Sequence, residues 1–138
     1  MKSLAIVVRD DGYDKLLTPL AFAFLQGAEG TQVDMLFVNW AVLALTEEGA
    51  SQQRVQGEHA ARDAWVREQV AKAGLPADIY DVIKALKATG NVNFYACSLA
   101  AGIFGVDQDN LIPEASGIVG ASWFLNDKAA QAEHCQYF

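Results

Sequence analysis

The sequence predicts an α/β fold in which helices cover both faces of a parallel sheet, and three observations carry that reading. Short, largely apolar runs such as Leu4 to Val8 and Gln32 to Val38 are continuous rather than alternating, as strands buried on both faces require. The segments between such runs carry helical spacing, capping residues and helix-ending glycines. Strand and helix patterns then follow one another at the spacing of successive βαβ units, whose crossovers are right-handed.

Each element has its own warrant. Leu4 to Val8 is the first strand, and Asp10-Asp11-Gly12 turns the chain. Asp14 is placed to cap a helix reaching about Gln26, with Leu16, Leu17, Leu20, Phe24 and Ala28 along one side. Pro19 is compatible only with a first turn, so the helix start is expected as late as Thr18, with Gly27 and Gly30 as its end. Gln32 to Val38 is the second strand, and Trp40 to Leu45 a short apolar helix. Thr46 to Gly57 lacks an apolar period and reads as a loop or mobile excursion. Glu58 to Ala73 reads as a helix with pairs Glu58/Arg62, Asp63/Arg67 and Glu68/Lys72, its buried side marked by Trp65, Val66 and Val70. Asp78 caps a helix through Ala88, with Ile79, Val82, Ile83 and Leu86 inward and Thr89-Gly90 at its end. Asn91 to Ala96 is a strand, Ser98 to Phe104 a helix closed by Gly105, and Asp109 to Ile112 a turn before Pro113. The last strand falls within Gly117 to Phe124, and Asn126 to Phe138 reads as a helical or frayed tail.

Composition narrows the function classes. A chain of 138 residues with 52% hydrophobic content fits a single domain over residues 1–138 with a real core. No apolar run reaches the length of a membrane span. The start, Met1 to Asp11, has too short an apolar core for a signal peptide, which places the protein in the cytoplasm. A net charge of −7 disfavours nucleic-acid binding, which needs a basic surface. Two cysteines, Cys97 and Cys135, make no disulfide framework, and no CxxC or paired Cys/His spacing points to a metal. GxGxxG is absent after the first strand, so a dinucleotide site is unsupported.

The chemistry concentrates at Cys97, where a strand gives way to a helix. Ligands in open α/β sheets bind at the carboxyl ends of strands, and the start of a helix favours a thiolate over a thiol. The competing reading is a buried, inert cysteine acting as a small hydrophobe. The ends of the first two strands are expected to bring Arg9, Tyr13, Asn39 and Trp40 toward the thiol. Arg9 or Lys15 would stabilise a thiolate there, or be an ordinary solvated charge. Trp40 is a pocket wall, a core residue or an interface residue. Ser98 reads as a first-turn residue whose backbone N–H, with that of Leu99, is a donor for an anion or a persulfide sulfur. Cys135 is either a resolving thiol for Cys97 or an unimportant thiol in a frayed end.

Two segments carry a family pattern. One is Lys2 to Leu45, above all Tyr13-Asp14-Lys15 and Leu36-Phe37-Val38-Asn39-Trp40-Ala41-Val42-Leu43. The other is Val92-Asn93-Phe94-Tyr95-Ala96-Cys97-Ser98-Leu99, continuing through Gly105, Leu111-Ile112-Pro113 and Ile118-Val119-Gly120. Together they resemble the DsrE/DsrF-like family of sulfur-relay proteins, with Thr46 to Ala77 matching least. The resemblance implies a three-layer α/β/α sandwich with a mainly parallel five-stranded sheet. It implies homo-oligomers, commonly trimers or hexamers, and sulfane sulfur held as a persulfide on Cys97. It further implies other carriers, such as rhodaneses and TusA-like proteins, as partners.

The leading expectation is therefore a sulfur carrier or sulfurtransferase-like protein working through Cys97, a chemistry that needs neither metal nor organic cofactor. A non-catalytic binding or scaffold module with an inert Cys97 is the first rival. A thiol redox sensor pairing Cys97 with Cys135 is the second.

Overall fold

A computed structural model of the chain describes all 138 residues. Five strands form one sheet: β1 (Ser3–Val8), β2 (Gln32–Phe37), β3 (Val92–Cys97), β4 (Gly117–Val119) and β5 (His134–Tyr137). All neighbours are parallel, in the order β4-β3-β2-β1-β5. The helices are α1 (Tyr13–Ala28), α2 (Asp63–Lys72), α3 (Ile79–Ala88), α4 (Ser98–Phe104) and α5 (Ala121–Asp127). Short 3-10 turns cover Asn39–Leu45, Gly57–Arg62 and Ala129–Gln131.

The register divides the sheet into two faces. Ile6, Met35 and Phe94 stand in one row, and all three are fully buried. On this face α1 approaches so closely that a Cβ at Gly27 would touch Val92 Cγ2 at 3.0 Å. Leu16 and Leu20 of α1 and Ile79, Ile83 and Leu86 of α3 complete the packing. Tyr95 points to the opposite face, where its ring meets Trp123 and Phe124 of α5 edge-on at 5.4 and 6.2 Å. The same face buries Asp34, whose carboxylate accepts a hydrogen bond from Asn93 Nδ2 at 3.0 Å and faces Lys128 Nζ at 3.6 Å. Lys128 follows α5 directly, so this pair holds the far end of α5 against the sheet. The expected three-layer α/β/α sandwich is therefore present, with a sheet that is parallel throughout.

Several expectations need correction. Helix α1 runs unbroken through Pro19. The proline removes one hydrogen bond, to the carbonyl of Lys15, but the first turn is anchored elsewhere. The Tyr13 N–H donates to the Arg54 carbonyl at 2.9 Å and the Tyr13 hydroxyl to the Ala77 carbonyl at 2.6 Å. Gly12, not Asp14, holds the N-cap position, without a side-chain cap. Residues 46–57 are a packed loop rather than a mobile excursion. Thr46 donates to the Leu43 carbonyl and accepts from the Gly49 N–H, while Ala50, Gln53 and Val55 are buried. Gly49 is required there, since a Cβ would collide with the Leu43 carbonyl oxygen.

The expected helix over Glu58 to Ala73 begins as a 3-10 turn and becomes α-helical only at Asp63. In that tighter turn residues four apart do not align, so Glu58 and Arg62 form no pair. Arg62 stacks on the half-exposed Trp65 at 3.9 Å instead, and Glu58 faces His59. Asp63/Arg67 and Glu68/Lys72 do form. The strand expected within Gly117 to Phe124 stops at Val119, and Ala121 opens a helix. The supposed frayed tail supplies β5, which pairs with β1 from Leu4↔His134 to Val7↔Tyr137. An edge strand with three exposed residues in four carries no apolar run to betray it.

Candidate functional site

Cys97 is the last residue of β3 and the N-cap residue of α4, with extended backbone (φ −67°, ψ 128°). A strand neighbour on each side fixes its height. Val119 of β4 is its partner on one side, and on the other the Phe37↔Ala96 pair places the end of β2 beside it. The chain leaves β2 through Val38 into the 3-10 turn that begins at Asn39. This turn packs against α4 and β3.

Between them lies a recess of about 210 Å³ lined by Val38, Asn39, Cys97, Leu99, Ala100, Ile103 and Phe104. Cys97 forms part of its wall and is only 5% exposed. Leu99 and Ile103 stand at 73% and 68% exposure, one helical turn apart on α4. Trp40 lies outside the lining but stacks on Phe104 with ring centres 4.6 Å apart, leaving more than half its surface open. The surroundings of the thiol are thus apolar, with Asn39 the one polar side chain in the wall beside it. Asn39 is also the chain's single non-glycine residue with positive φ, at 52°. Asparagine is among the few side chains that tolerate this left-handed conformation.

The structure brings Cys97, Leu99 and Asn39 together, with Ser98 exposed at the start of α4 and Trp40 one ring away. Arg9 and Tyr13 do not reach the recess, because β2 separates β1 from β3. The Arg9 guanidinium sits 3.7 Å from Asp10 and 5.5 Å from the centre of the Tyr137 ring. Its carbonyl accepts from the Ala41 N–H and so braces the turn that carries Asn39. Tyr13 is fully buried under Arg67, whose guanidinium lies 4.0 Å over the ring, and burial pushes the Tyr13 hydroxyl above its ordinary pKa. Arg67 in turn donates to Asp63 at 2.8 Å and to the Gln53 carbonyl, holding the packed loop in place. Lys15 is exposed on α1.

Val38, Ala100, Ile103 and Phe104 line the recess without having been singled out in the sequence. Their signal was available on α4, where Cys97, Ala100 and Phe104 recur at helical spacing. Cys135 lies on β5 beside Ala5, which faces Asp34, which faces Asn93. It is therefore three strands away from β3 and level with a residue four positions before Cys97. At about 4.8 Å per strand across the sheet and about 3.3 Å per residue along it, the separation is roughly 20 Å, well beyond the roughly 7 Å reach of a disulfide. No three His, Cys, Asp or Glu side chains gather at metal-binding distance, and no helix is long and apolar enough to cross a membrane.

Comparison with known proteins gives a consistent placement. The model of the DsrE/DsrF-like family matches residues 2–132. The ychN protein from E. coli superposes with a TM-score of 0.64 at 16% identity, covering 100% of both chains. MTH1491 from Methanobacterium thermoautotrophicum, described as a protein of unknown function, superposes with a TM-score of 0.59 at 13% identity over 99% of both chains. At these identities the two likenesses concern the fold alone. No curated protein matches the chain.

Proposed function

From the premise that this chain belongs to the DsrE/DsrF-like family, we propose that it is a sulfur-relay carrier that holds sulfane sulfur as a persulfide on Cys97. One observation carries the assignment to this residue: Cys97 stands at the carboxyl end of a central strand and opens into a recess beside the end of β2. The Cys97 thiolate attacks the terminal sulfur of a donor persulfide. A new S–S bond forms to Cys97 Sγ as the donor's S–S bond breaks, and the electron pair leaves on the donor thiolate. An acceptor thiolate then takes the same sulfur and returns Cys97 as thiolate, so no external oxidant or reductant is consumed. The backbone N–H groups of Ser98 and Leu99 and the side chain of Asn39 surround the loaded sulfur, and Trp40 backs the wall through Phe104. Rhodaneses or TusA-like carriers suit the roles of donor and acceptor. A homo-oligomer, trimer or hexamer, suits the exposed Leu99, Ile103, Trp40 and Trp123.

The burial of Cys97 favours a second reading, a binding or scaffold module with an unreactive thiol. Intact-protein mass spectrometry after incubation with a persulfide donor separates the two. The carrier gains one sulfur mass that reductant removes, and Cys97→Ser abolishes the gain while the fold persists. A chain that gains no sulfur, and whose Cys97 is alkylated only after unfolding, is the scaffold.

A further inference from the structure

We propose that the outward face of α1 is a two-fold interface with a second copy of this chain, the two α1 helices packing antiparallel across it. Helix α1 carries no charged residue from Leu16 to Ala28, yet one side of it faces solvent. Helices that are apolar all round are ordinarily buried ones. Thr18, Ala21, Phe22 and Leu25 are exposed and follow the i, i+3, i+4, i+7 spacing of a helix–helix contact. Phe22, Phe24 and Leu25, with Leu75 beside them, are 41–59% exposed. At about 200 Å² for a large apolar side chain, these four leave roughly 400 Å² uncovered. Ala21, Val82 and Ala85 extend the same face toward the ~800 Å² per partner that a stable dimer buries.

Shape and charge both point to a second copy as the occupant. Leu25 is a ridge between two recesses, one of about 290 Å³ shared with Leu4 and Phe22, the other of about 340 Å³ shared with Leu17, Phe24, Leu75 and Val82. A ridge with a groove beside it fits itself when turned through a two-fold axis. Phe138 meets the Phe22 ring edge-on at 5.4 Å and holds it in place, so little side-chain freedom is lost on contact. The two ends of the stripe carry opposite charges. Lys15 lies seven residues before Phe22 and Glu29 seven after it, two helical turns in each direction and on the same side. Both are exposed, and neither belongs to an ion pair within the chain. In an antiparallel pair centred on Phe22, each Lys15 meets Glu29 of the other copy, once at either end. An unrelated partner gives no reason for a lysine and a glutamate placed symmetrically about an uncharged centre. Neither recess shares a residue with the one at Cys97, so this contact is independent of the carrier reading. A two-fold contact turns a trimer into a hexamer and has no place in a trimer alone.

Sedimentation velocity on the full chain at micromolar concentration tests the interface, with circular dichroism to check that each variant is folded. The wild-type chain is expected to form an even-numbered assembly. Leu25→Glu, at a position 59% exposed and outside the core, is expected to halve that assembly. It weakens the contact about a hundredfold, because two central apolar side chains become two facing charges. Lys15→Glu and Glu29→Lys each weaken it about fivefold by setting like charges together, and the double exchange Lys15→Glu/Glu29→Lys restores it. A monomeric or trimeric wild-type chain overturns the proposal and leaves the face to a different protein or to lipid. Leu25→Glu that assembles like the wild type overturns it too, since the contact then lies elsewhere. A double exchange no stronger than the single variants overturns the antiparallel pairing and the proposal with it.

Discussion

A single contact is enough to change the acid–base behaviour of a side chain in this molecule, as Tyr80 shows. The Tyr80 hydroxyl donates to Glu114 Oε1 at 2.7 Å, and that hydrogen bond, more than burial or charge, pushes its pKa up to about 12. A tyrosine that keeps its proton longer in the folded state stabilises the fold fully below the unfolded value near 10. That contribution is lost as pH rises from about 10 to about 12. Thermal unfolding across this range is expected to show a steeper alkaline decline in the native chain than in Tyr80→Phe; identical slopes would remove Tyr80 as a source. At this scale the sequence was informative where chemistry is local. Cys97 stands out because the pattern changes from strand to helix around it, and Asn39 because an amide follows a buried strand. Arg9 and Tyr13 were drawn toward the thiol on an assumed strand order. No local pattern encodes that order, and the sheet sets them two strands away.

Elements form here by a mixture of local signals and long-range demands. Helix α3 is the locally written case. The Asp78 side chain accepts from the Tyr80 N–H at 2.8 Å and also from Ser51 Oγ at 2.9 Å, and its buried residues recur at helical spacing. Asp78→Ala is expected to cost about 1 kcal/mol, read as a fall of roughly 4 °C in Tm by calorimetry. An unchanged Tm would mean that packing alone fixes this helix. Helix α1 is the opposite case, since Pro19 argued for a late start and the tertiary anchors of Tyr13 overrode it. Strand β5 was illegible for a related reason. His134-Cys135-Gln136-Tyr137 has neither apolar continuity nor clean alternation, and it is a strand because the free edge of β1 is available to it. The apolar stretch after Gly117 misled in the other direction, because seven residues are too few for period to separate strand from helix.

For the molecule as a whole, strand order decides which residues are able to meet. It sets Cys97 and Cys135 on strands separated by two others, so peroxide treatment is expected to yield no disulfide between them within one chain. Peptide mapping under non-reducing conditions checks this, and an intrachain Cys97–Cys135 peptide would show that the sheet opens. A redox sensor that closes this bond inside one chain is therefore incompatible with the fold. The fold class was legible because several βαβ patterns in series leave few arrangements open. The position of the last strand was not, since it depends on an edge created by the first.

That pairing of the chain's two extremities has an entropic consequence. The Lys2 N–H reaches the Glu133 carboxylate across 131 positions of sequence, whereas β1 finds β2 across roughly a quarter of that distance. Closing the longer loop is entropically dearer, by about 0.6 kcal/mol for each doubling. The pairing of β5 with β1 is therefore the most demanding closure in the sheet, about 1 kcal/mol beyond that of β1 with β2. The clasp joins β1 to β5, on the side of the sheet away from β3, so its opening exposes the β1 edge and leaves the β2–β3–β4 pairing that frames Cys97 unbroken.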